Sequence, residues 1–237
     1  SLSLDLPKLL PPKMGLYAGE RCYVPFRKLL RKIDHLITFV REPRAHVLSQ
    51  YYECHDDGWA KNVRSRWIKA PDRMFENFSY AARLELERRT FSNFSNWIRY
   101  YAEAPDLLKT GNFYCYHPYN MQARSFMCTG DGDSLHYYRE AASPESMLRT
   151  AMFNYRQTYF VGVAEHYQAS VCLLLIKVSQ KVPAFCDCRD QASWSRVKFT
   201  HESHGVHRHS VKDVSENVLT LVDFLTDVDR VLYYEAL

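Results

Sequence analysis

Residues 36–54 of this 237-residue chain read LITFVREPRAHVLSQYYEC, and they give the clearest indication of how the chain folds. The first five are a continuous apolar run rich in β-branched side chains, which is typical of a short strand covered on both faces, as in a parallel sheet. The Arg-Glu-Pro that follows ends the strand, and Pro43 suits the first turn of a helix that continues through Tyr52. The stretch therefore predicts a strand, a tight turn and a helix, which is half of a βαβ unit.

The rest of the chain repeats this alternation. Residues 159–163 (YFVGV) predict a second short buried strand. Apolar residues at helical spacing predict helices over residues 26–33, much of 74–104, 164–179 and 214–237. Residues 105–143 predict a loop with one helical turn near Met121, and residues 182–213 predict a polar loop. Strands that alternate with helices are typical of an α/β domain with a parallel sheet.

The composition is that of one globular domain, which we expect to cover residues 1–237. Hydrophobic residues make up 46% and charged residues 24%, with only 8 Gly and 10 Pro, which excludes a disordered or collagen-like chain. The longest apolar run covers residues 171–176, far short of the ~20 residues that a membrane-spanning helix needs. The net charge of +4 suits an anionic ligand but is small for a dedicated nucleic-acid binder.

The seven cysteines are an odd count and too sparse for a disulfide scaffold. Cys172 lies inside the longest apolar run, where it is expected to be a small buried hydrophobe. Two Asn-Phe-Ser sequons begin at Asn77 and Asn93 and would fit a lumenal protein, although about one such match is expected by chance.

A cluster of cysteines and histidines lies near the end of the chain, at Cys186, Cys188, His201, His204, His207 and His209. Sulfur and imidazole ligands at short spacing suggest zinc, but these spacings match no standard zinc site. A disulfide from Cys186 or Cys188 to another cysteine is the favoured interpretation for an oxidising compartment.

Arg41 and Ser49 are the sharpest candidates for a binding site. An arginine at the carboxyl end of a buried strand points into the crevice where α/β sheets bind their ligands. Ser49 follows two helical turns later, so a guanidinium and a hydroxyl could hold one phosphate from two sides. The alternative is that Arg41 only ends the strand and pairs with Glu42.

Four segments resemble one enzyme family. Residues 41–51 contain Arg-x-Pro-x-x-x-x-x-Ser-x-Tyr, which resembles the 3′-phosphate-binding motif of PAPS-dependent sulfotransferases. Residues 120–124 (NMQAR) are similar to the Asn-x-Gln-Thr-Arg segment of the heparan sulfate 2-O- and uronyl 2-O-sulfotransferases, with Ala123 in place of Thr. Residues 160–171 resemble that family's Phe-Val-Gly-x-x-Glu-x-Phe-x-x-Ser segment, and residues 225–234 resemble its closing helix.

The resemblance implies a P-loop-NTPase-like sulfotransferase fold, with a central parallel sheet flanked by helices. It implies transfer of a sulfuryl group from PAPS to a hydroxyl of a carbohydrate, without a metal, in the Golgi lumen and with a membrane anchor upstream. Arg41 and Ser49 would bind the 3′-phosphate. The remaining implied residues are Arg208 and Ser210 in a loop that closes over the nucleotide, and Asn120, Gln122 and Arg124 on the cofactor or acceptor side.

The phosphosulfate loop of that family, Pro-Lys-x-Gly-Ser/Thr-Thr/Ser, has no good match. Residues 12–15 keep Pro-Lys-x-Gly but lack the hydroxyl pair and precede Arg41 too closely, and residues 108–112 follow Arg41. We therefore expect the first strand and its loop to lie upstream of Ser1, which leaves the domain incomplete at its N-terminus. Such a chain would be inactive or weak, because the leaving 5′-phosphate is not stabilised.

Two other functions agree with part of the sequence pattern. A non-catalytic nucleotide- or glycan-binding module would result if the phosphosulfate loop has been lost. A P-loop kinase is disfavoured, because the chain has no G-x-x-x-x-G-K-[ST] motif.

The catalytic base is assigned by resemblance. Residues 16–23 are similar to the family's Gly-His-Phe-Pro-Tyr segment, with Glu20 at the histidine position. Glu20 could remove the acceptor proton if burial raised its pKa, and the alternative is a surface carboxylate beside Arg21.

Overall fold

A computed structural model describes residues 36–71, 75–103, 113–127, 143–196 and 208–237. The strands are β1 (Ile37–Val40) and β2 (Phe160–Val163). The helices are α1 (Pro43–Asp56), α2 (Gly58–Lys69), α3 (Tyr80–Thr90), α4 (Phe94–Ala102), α5 (Met121–Met127), α6 (Pro144–Arg156), α7 (Tyr167–Ser179), α8 (Gln191–Arg196), α9 (Glu216–Leu225) and α10 (Asp227–Ala236). Short 3₁₀ turns occur at Ala164–His166, Ala184–Cys186 and Val211–Asp213. The helix expected over residues 26–33 lies outside the described residues.

The structure is mixed α/β and mostly helical. In the described residues the sheet has two strands, β1 and β2, which pair in parallel with Ile37 opposite Phe160 and Val40 opposite Val163. Both strands and their parallel pairing are as the sequence predicts, but the predicted burial is incomplete: in β1 only Val40 is buried, and in β2 only Gly162 and Val163 are. The two strands support α/β architecture. The central sheet that the resemblance implies would have more strands than these two.

The strand–turn–helix prediction for residues 36–54 is confirmed. α1 begins directly after β1 because Pro43 occupies its first turn and the Glu42 carboxylate accepts the backbone N–H groups of Arg44 and Ala45, at 3.1 and 2.7 Å. α1 then buries Val47 and Leu48 in the core.

β2 leads into α7 through a tightly packed turn. A Cβ atom on Gly162 would lie 2.5 Å from the Phe39 ring, so glycine is required where the two strands lie side by side. The Ser170 hydroxyl accepts the Val163 N–H at 2.9 Å and donates to the Val163 carbonyl at 3.1 Å, which ties α7 to the end of β2.

Of the three apolar clusters in the described residues, the two largest hold most of the helices and the ends of the strands. The larger is rich in aromatic rings from α2, α4 and the segment before α5, and includes the fully buried Trp67, Trp97, Tyr101 and Phe113. The smaller contains Val40 and Val163 of the strands, packed against Met147 of α6 and Leu232 of α10. Large aromatic side chains bury the most area per residue and so dominate such a core.

Several boundaries differ from the sequence prediction. Residues 74–104 contain two helices, because the Asn93 carboxamide caps a new helix at Phe94. Residues 214–237 also contain two, because the Asn120 N–H bonds the Leu225 carbonyl at 2.8 Å and α9 ends there. The predicted turn near Met121 is a seven-residue helix, the loop over 182–213 contains α8, and α2 and α6 were not predicted.

Among the described residues, one disulfide joins Cys54 to Cys115 across 61 residues and another joins Cys172 to Cys186 across 14 residues. The expectation that Cys172 is simply a buried hydrophobe is corrected, because it is buried as one half of a disulfide. The favoured interpretation of Cys186 as a disulfide partner is confirmed. Cys188 is an exposed free thiol.

A candidate anion site at the strand ends

The carboxyl ends of β1 and β2 meet at one edge of the sheet. Because the strands are parallel and in register, Arg41 after Val40 and Glu165 after Val163 lie at the same edge. The crevice beyond the carboxyl ends of parallel strands is where α/β sheets bind ligands.

Gln122 holds the backbone of Arg41. The Arg41 N–H donates to Gln122 Oε1 at 2.8 Å, and Gln122 Nε2 donates to the Arg41 carbonyl at 2.9 Å. The Gln122 side-chain amide thus accepts from the backbone N–H of Arg41 and donates to its carbonyl, as the peptide group of a neighbouring strand would. Gln122 therefore sets the point from which the Arg41 side chain projects.

The Arg41 guanidinium is only loosely paired. Its Nε lies 3.8 Å from Glu165 Oε1, and the side chain is 38% exposed. No hydrogen bond joins its terminal nitrogens to another residue in the described ranges. The expected alternative, a pair with Glu42, is not what the structure has, because the Glu42 carboxylate caps α1 instead.

Glu165 is a residue of this site to which the sequence assigned no role. Both of its carboxylate oxygens accept the Glu42 backbone N–H, at 3.1 Å each. Burial first, and then the charges of Glu165 and Glu42, raise the pKa of Tyr233 on α10. Two carboxylates thus occupy the N–H groups of the turn that leads into α1, where an anion would otherwise bind.

His46 and Ser49 extend the site along α1. Burial, and after it the positive charge of Arg41, lower the pKa of His46 to about 4, so the imidazole is neutral at pH 7. One ring nitrogen of His46 lies 3.4 Å from Gln50 Nε2. The Ser49 hydroxyl is half-buried and makes no hydrogen bond to the residues that the structure describes.

A pocket of about 310 Å³ lies beside these residues, between α1 and the last two helices. Its lining residues are Glu42, Pro43, Arg44, Asp223, Arg230, Tyr233 and Tyr234. Arg44 donates from Nε and Nη2 to the two oxygens of Asp223, at 2.8 and 2.6 Å, and this pair raises the pKa of Arg44. The Arg44 guanidinium is thus bonded to Asp223 by two hydrogen bonds. Arg230 is paired more loosely, because its Nη1 lies 3.9 Å from the Asp223 carboxylate and its side chain is 45% exposed. This volume is at the lower end for a small-molecule site.

The three candidate site residues of the NMQAR segment are buried in the protein interior. Asn120, Gln122 and Arg124 are 0, 9 and 4% exposed. Arg124 donates to the backbone carbonyls of Tyr119 and His117, at 2.7 and 2.6 Å. Gln122 supports the strand end through the Arg41 backbone, and the part of the segment in lining a cofactor or acceptor stays a prediction.

Asn120 and Asp229 cap each other's helices. Asn120 precedes α5, but its Oδ1 accepts the N–H groups of Val228 and Asp229 at the start of α10, at 3.0 and 3.1 Å. Asp229 lies in α10, but its carboxylate accepts the N–H groups of Ala123 and Gln122 in α5, at 2.7 and 3.2 Å. Burial raises the pKa of Asp229 to about 7. Asp229 lies in the segment that resembles the family's closing helix, but the sequence analysis assigned it no role.

Arg208 and Ser210 are exposed at the beginning of the segment that leads into α9. The Ser210 hydroxyl accepts the Lys212 N–H at 3.2 Å, and His209 stacks on Tyr52 of α1 with ring centroids 4.6 Å apart. Tyr52 lies one helical turn after Ser49, so this segment lies near the predicted phosphate-binding face of α1. Glu20 and His207 lie outside the described residues.

Neither a metal centre nor a membrane span was found in the described ranges. They contain no group of three or more histidine, cysteine or acidic residues that could hold a metal ion. None of their helices is long and apolar enough to cross a bilayer.

The comparisons with known proteins gave no match. No family model, no curated protein and no solved structure matches this chain.

Proposed function

We propose that this chain is a PAPS-dependent sulfotransferase domain that transfers a sulfuryl group to a hydroxyl of a carbohydrate. The observation that carries the proposal is the position of Arg41. It directly follows the parallel strand β1, its terminal nitrogens make no hydrogen bond to the residues that the structure describes, and Ser49 follows two turns along the next helix. This is the context in which the Arg-x-Pro-x-x-x-x-x-Ser motif would bind a phosphate.

In this proposal Arg41 donates two parallel hydrogen bonds to the 3′-phosphate and Ser49 donates a third. Charge-assisted bonds of this kind are about twice as strong as neutral ones. The segment with Arg208 and Ser210 closes over the nucleotide, next to the His209–Tyr52 stack. Glu20 takes the proton from the acceptor hydroxyl, and the 5′-phosphosulfate loop comes from a segment upstream of Ser1.

The finer fold and the compartment belong to the same proposal. β1–α1 and β2–α7 would be two units of a P-loop-NTPase-like sheet whose first strand lies upstream. The two disulfides support an oxidising compartment such as the Golgi lumen.

One observation favours the second candidate, a non-catalytic nucleotide- or glycan-binding module. Glu42 and Glu165 already occupy the backbone N–H groups at the start of α1. A phosphate at Arg41 would have to be held by side chains against these negative charges, which favours weak anion binding over tight cofactor binding.

Calorimetric titration with 3′-phosphoadenosine 5′-phosphate tests the cofactor site. We expect micromolar binding, which Arg41→Ala weakens at least a hundredfold because about 3 kcal/mol of charge-assisted hydrogen bonding is lost. Arg41→Lys should recover only part of it, because lysine cannot bind in a bidentate way. Arg88→Ala is the matched control, since Arg88 pairs with Glu85 on the exposed side of α3.

Equal binding by Arg41→Ala and the parent chain would reject the proposed site. Transfer of radiolabelled sulfate from PAPS to a mixture of glycans, measured on a chain extended upstream of Ser1, separates the two candidates. Binding with transfer identifies an enzyme, and binding without transfer identifies the non-catalytic module.

A further inference from the structure

We propose that Asn77 carries an N-linked glycan. The proposal does not depend on sulfotransferase activity, but it shares with the proposed function a lumenal location. Asn77-Phe78-Ser79 is an acceptor sequon. The structure adds three observations to that motif.

The first observation is the local geometry of the sequon. Asn77 is exposed in the turn before α3, and its carboxamide has no hydrogen-bond partner among the described residues. The Phe78 N–H bonds the Phe75 carbonyl at 3.0 Å, and the Ser79 hydroxyl caps α3 by accepting the Ala82 N–H at 3.2 Å. The turn is therefore held by its other residues, and a sugar on Asn77 displaces no hydrogen bond to the part of the chain that the structure describes.

The second observation is the apolar surface around Asn77. Phe78, Tyr80 and Leu84 are 45, 55 and 44% exposed. Tyr80 and Leu84 lie one helical turn apart on α3, and Phe78 lies two residues before Tyr80, so all three exposed apolar side chains are close to the sequon along the chain. A glycan on Asn77 starts next to Phe78 and Tyr80, and the apolar face of its first sugars can shield these rings.

The third observation is the contrast with the other sequon. The Asn93 carboxamide caps α4, because its Oδ1 accepts the Asn96 N–H at 2.9 Å. The Asn93 side chain is thus held in the fold, whereas the Asn77 side chain has no such hydrogen bond within the described ranges. We therefore assign the glycan to Asn77.

The reaction needs a lipid-diphosphate-linked oligosaccharide as the donor. The Asn77 Nδ2 atom bonds to C1 of the first sugar while the bond from C1 to the lipid diphosphate breaks. The amide loses one proton to a base of the transferase, and the lipid diphosphate leaves with the bonding electrons. The disulfides Cys54–Cys115 and Cys172–Cys186 are consistent with passage through the compartment where this reaction occurs.

The experiment compares four versions of the full chain, translated with a signal peptide in the presence of microsomes. We expect a one-glycan shift, removed by N-glycosidase F, in the parent chain and in Ser79→Thr, which keeps both the sequon and the helix cap. Ser79→Asp keeps the cap and destroys the sequon, and Asn77→Gln removes the acceptor, so both should lose that shift. A parent chain with no glycan on Asn77 would overturn the proposal.

The chain isolated from its own cells gives the second measurement. Deglycosylation in H₂¹⁸O should convert Asn77 into ¹⁸O-labelled aspartate, which mass spectrometry of the peptide detects. An unmodified Asn77 in the native chain overturns the proposal even if microsomes modify it. Since neither measurement involves PAPS, failure here is distinguishable from failure of the proposed function.

Discussion

At the scale of single residues, the neutral side chain of Gln122 fixes the backbone position of the charged residue Arg41. The Gln122 amide holds the Arg41 backbone, and the terminal guanidinium nitrogens of Arg41 make no hydrogen bond to any residue in the described ranges. Glu165 lies 3.8 Å away, anchored by the Glu42 N–H. A negatively charged ligand bound to Arg41 would therefore be repelled by the Glu165 carboxylate.

Glu165→Gln should tighten binding of 3′-phosphoadenosine 5′-phosphate about fivefold. The substitution keeps an acceptor for the Glu42 N–H and removes a like charge worth about 1 kcal/mol near the ligand phosphate. Calorimetric titration measures the effect, and Glu235→Gln on the exposed side of α10 is the control. Weaker binding would mean instead that Glu165 orients Arg41.

His46 should make the fold sensitive to acid. The pKa of the folded state is about 4 and that of the unfolded chain is near 6.5, so the unfolded chain binds more protons between these values. Stability therefore falls as the pH drops from about 6.5 towards 4, by on the order of 2 kcal/mol. Urea unfolding at several pH values measures it.

His46→Gln isolates this contribution. Asp229 acts in the opposite direction, because its raised pKa of about 7 makes stability fall as the pH rises from about 4 to 7. Only the difference between the parent chain and His46→Gln therefore reports on His46. If the two pH profiles run parallel, the His46 imidazole is not protected from protonation.

At the scale of elements, α5 and α10 hold each other by their ends. Asn120 caps α10, Asp229 caps α5, and Gln122 in the first turn of α5 holds the end of β1. A substitution that shifts the α5–α10 junction is therefore expected to shift the Arg41 backbone, because the Gln122 side chain joins the two. This junction explains Asn120 and Gln122 of the NMQAR segment, whereas Arg124 holds the backbone before α5 through the carbonyls of Tyr119 and His117.

Asn120→Ala and Asp229→Ala should each cost about 2 kcal/mol of unfolding free energy, because each leaves buried N–H groups without an acceptor. The double variant should cost less than the sum, because both changes break the same junction. Denaturant unfolding gives the three values. Additive costs would show that the two caps act independently.

Asn120→Gly serves as the control for backbone strain. Asn120 has φ of 43°, a left-handed conformation that glycine adopts readily and alanine does not. The extra loss of stability in Asn120→Ala over Asn120→Gly measures the backbone cost, and the remainder measures the lost hydrogen bonds.

At the scale of the whole molecule, the two disulfides support different regions. Cys54–Cys115 joins α1 to the segment before α5 across 61 residues, and Cys172–Cys186 ties α7 to the following turn across 14 residues. The longer loop restricts the unfolded chain more.

Paired serine substitution of Cys54 and Cys115 should cost about 4 kcal/mol, and that of Cys172 and Cys186 about 3 kcal/mol, from loop entropy. Thermal unfolding measures both losses, and Cys188→Ser, which removes an exposed thiol, should leave the melting temperature unchanged. Loss of the same size on substitution of Cys188 would contradict this pairing.

The parts of the fold predicted correctly are those with local causes. The runs LITFV and YFVGV indicate strands by composition alone, and Pro43 places the start of α1. The break between α9 and α10 was missed because it depends on Asn120, more than 100 residues earlier in the chain. The zinc interpretation and the disulfide interpretation of Cys186 could be separated only once Cys172 was seen beside it.

The sequence alone thus determined the two strands, their helices and the position of Arg41 with Ser49 two turns along α1, because hydrophobic period and turn residues act over a few positions. Only the tertiary structure decided which partners these residues have. Gln122 lies 81 residues from Arg41, and Glu165 lies 123 residues from Glu42. Contacts over such separations depend on how the elements pack, and a local pattern carries no record of that packing.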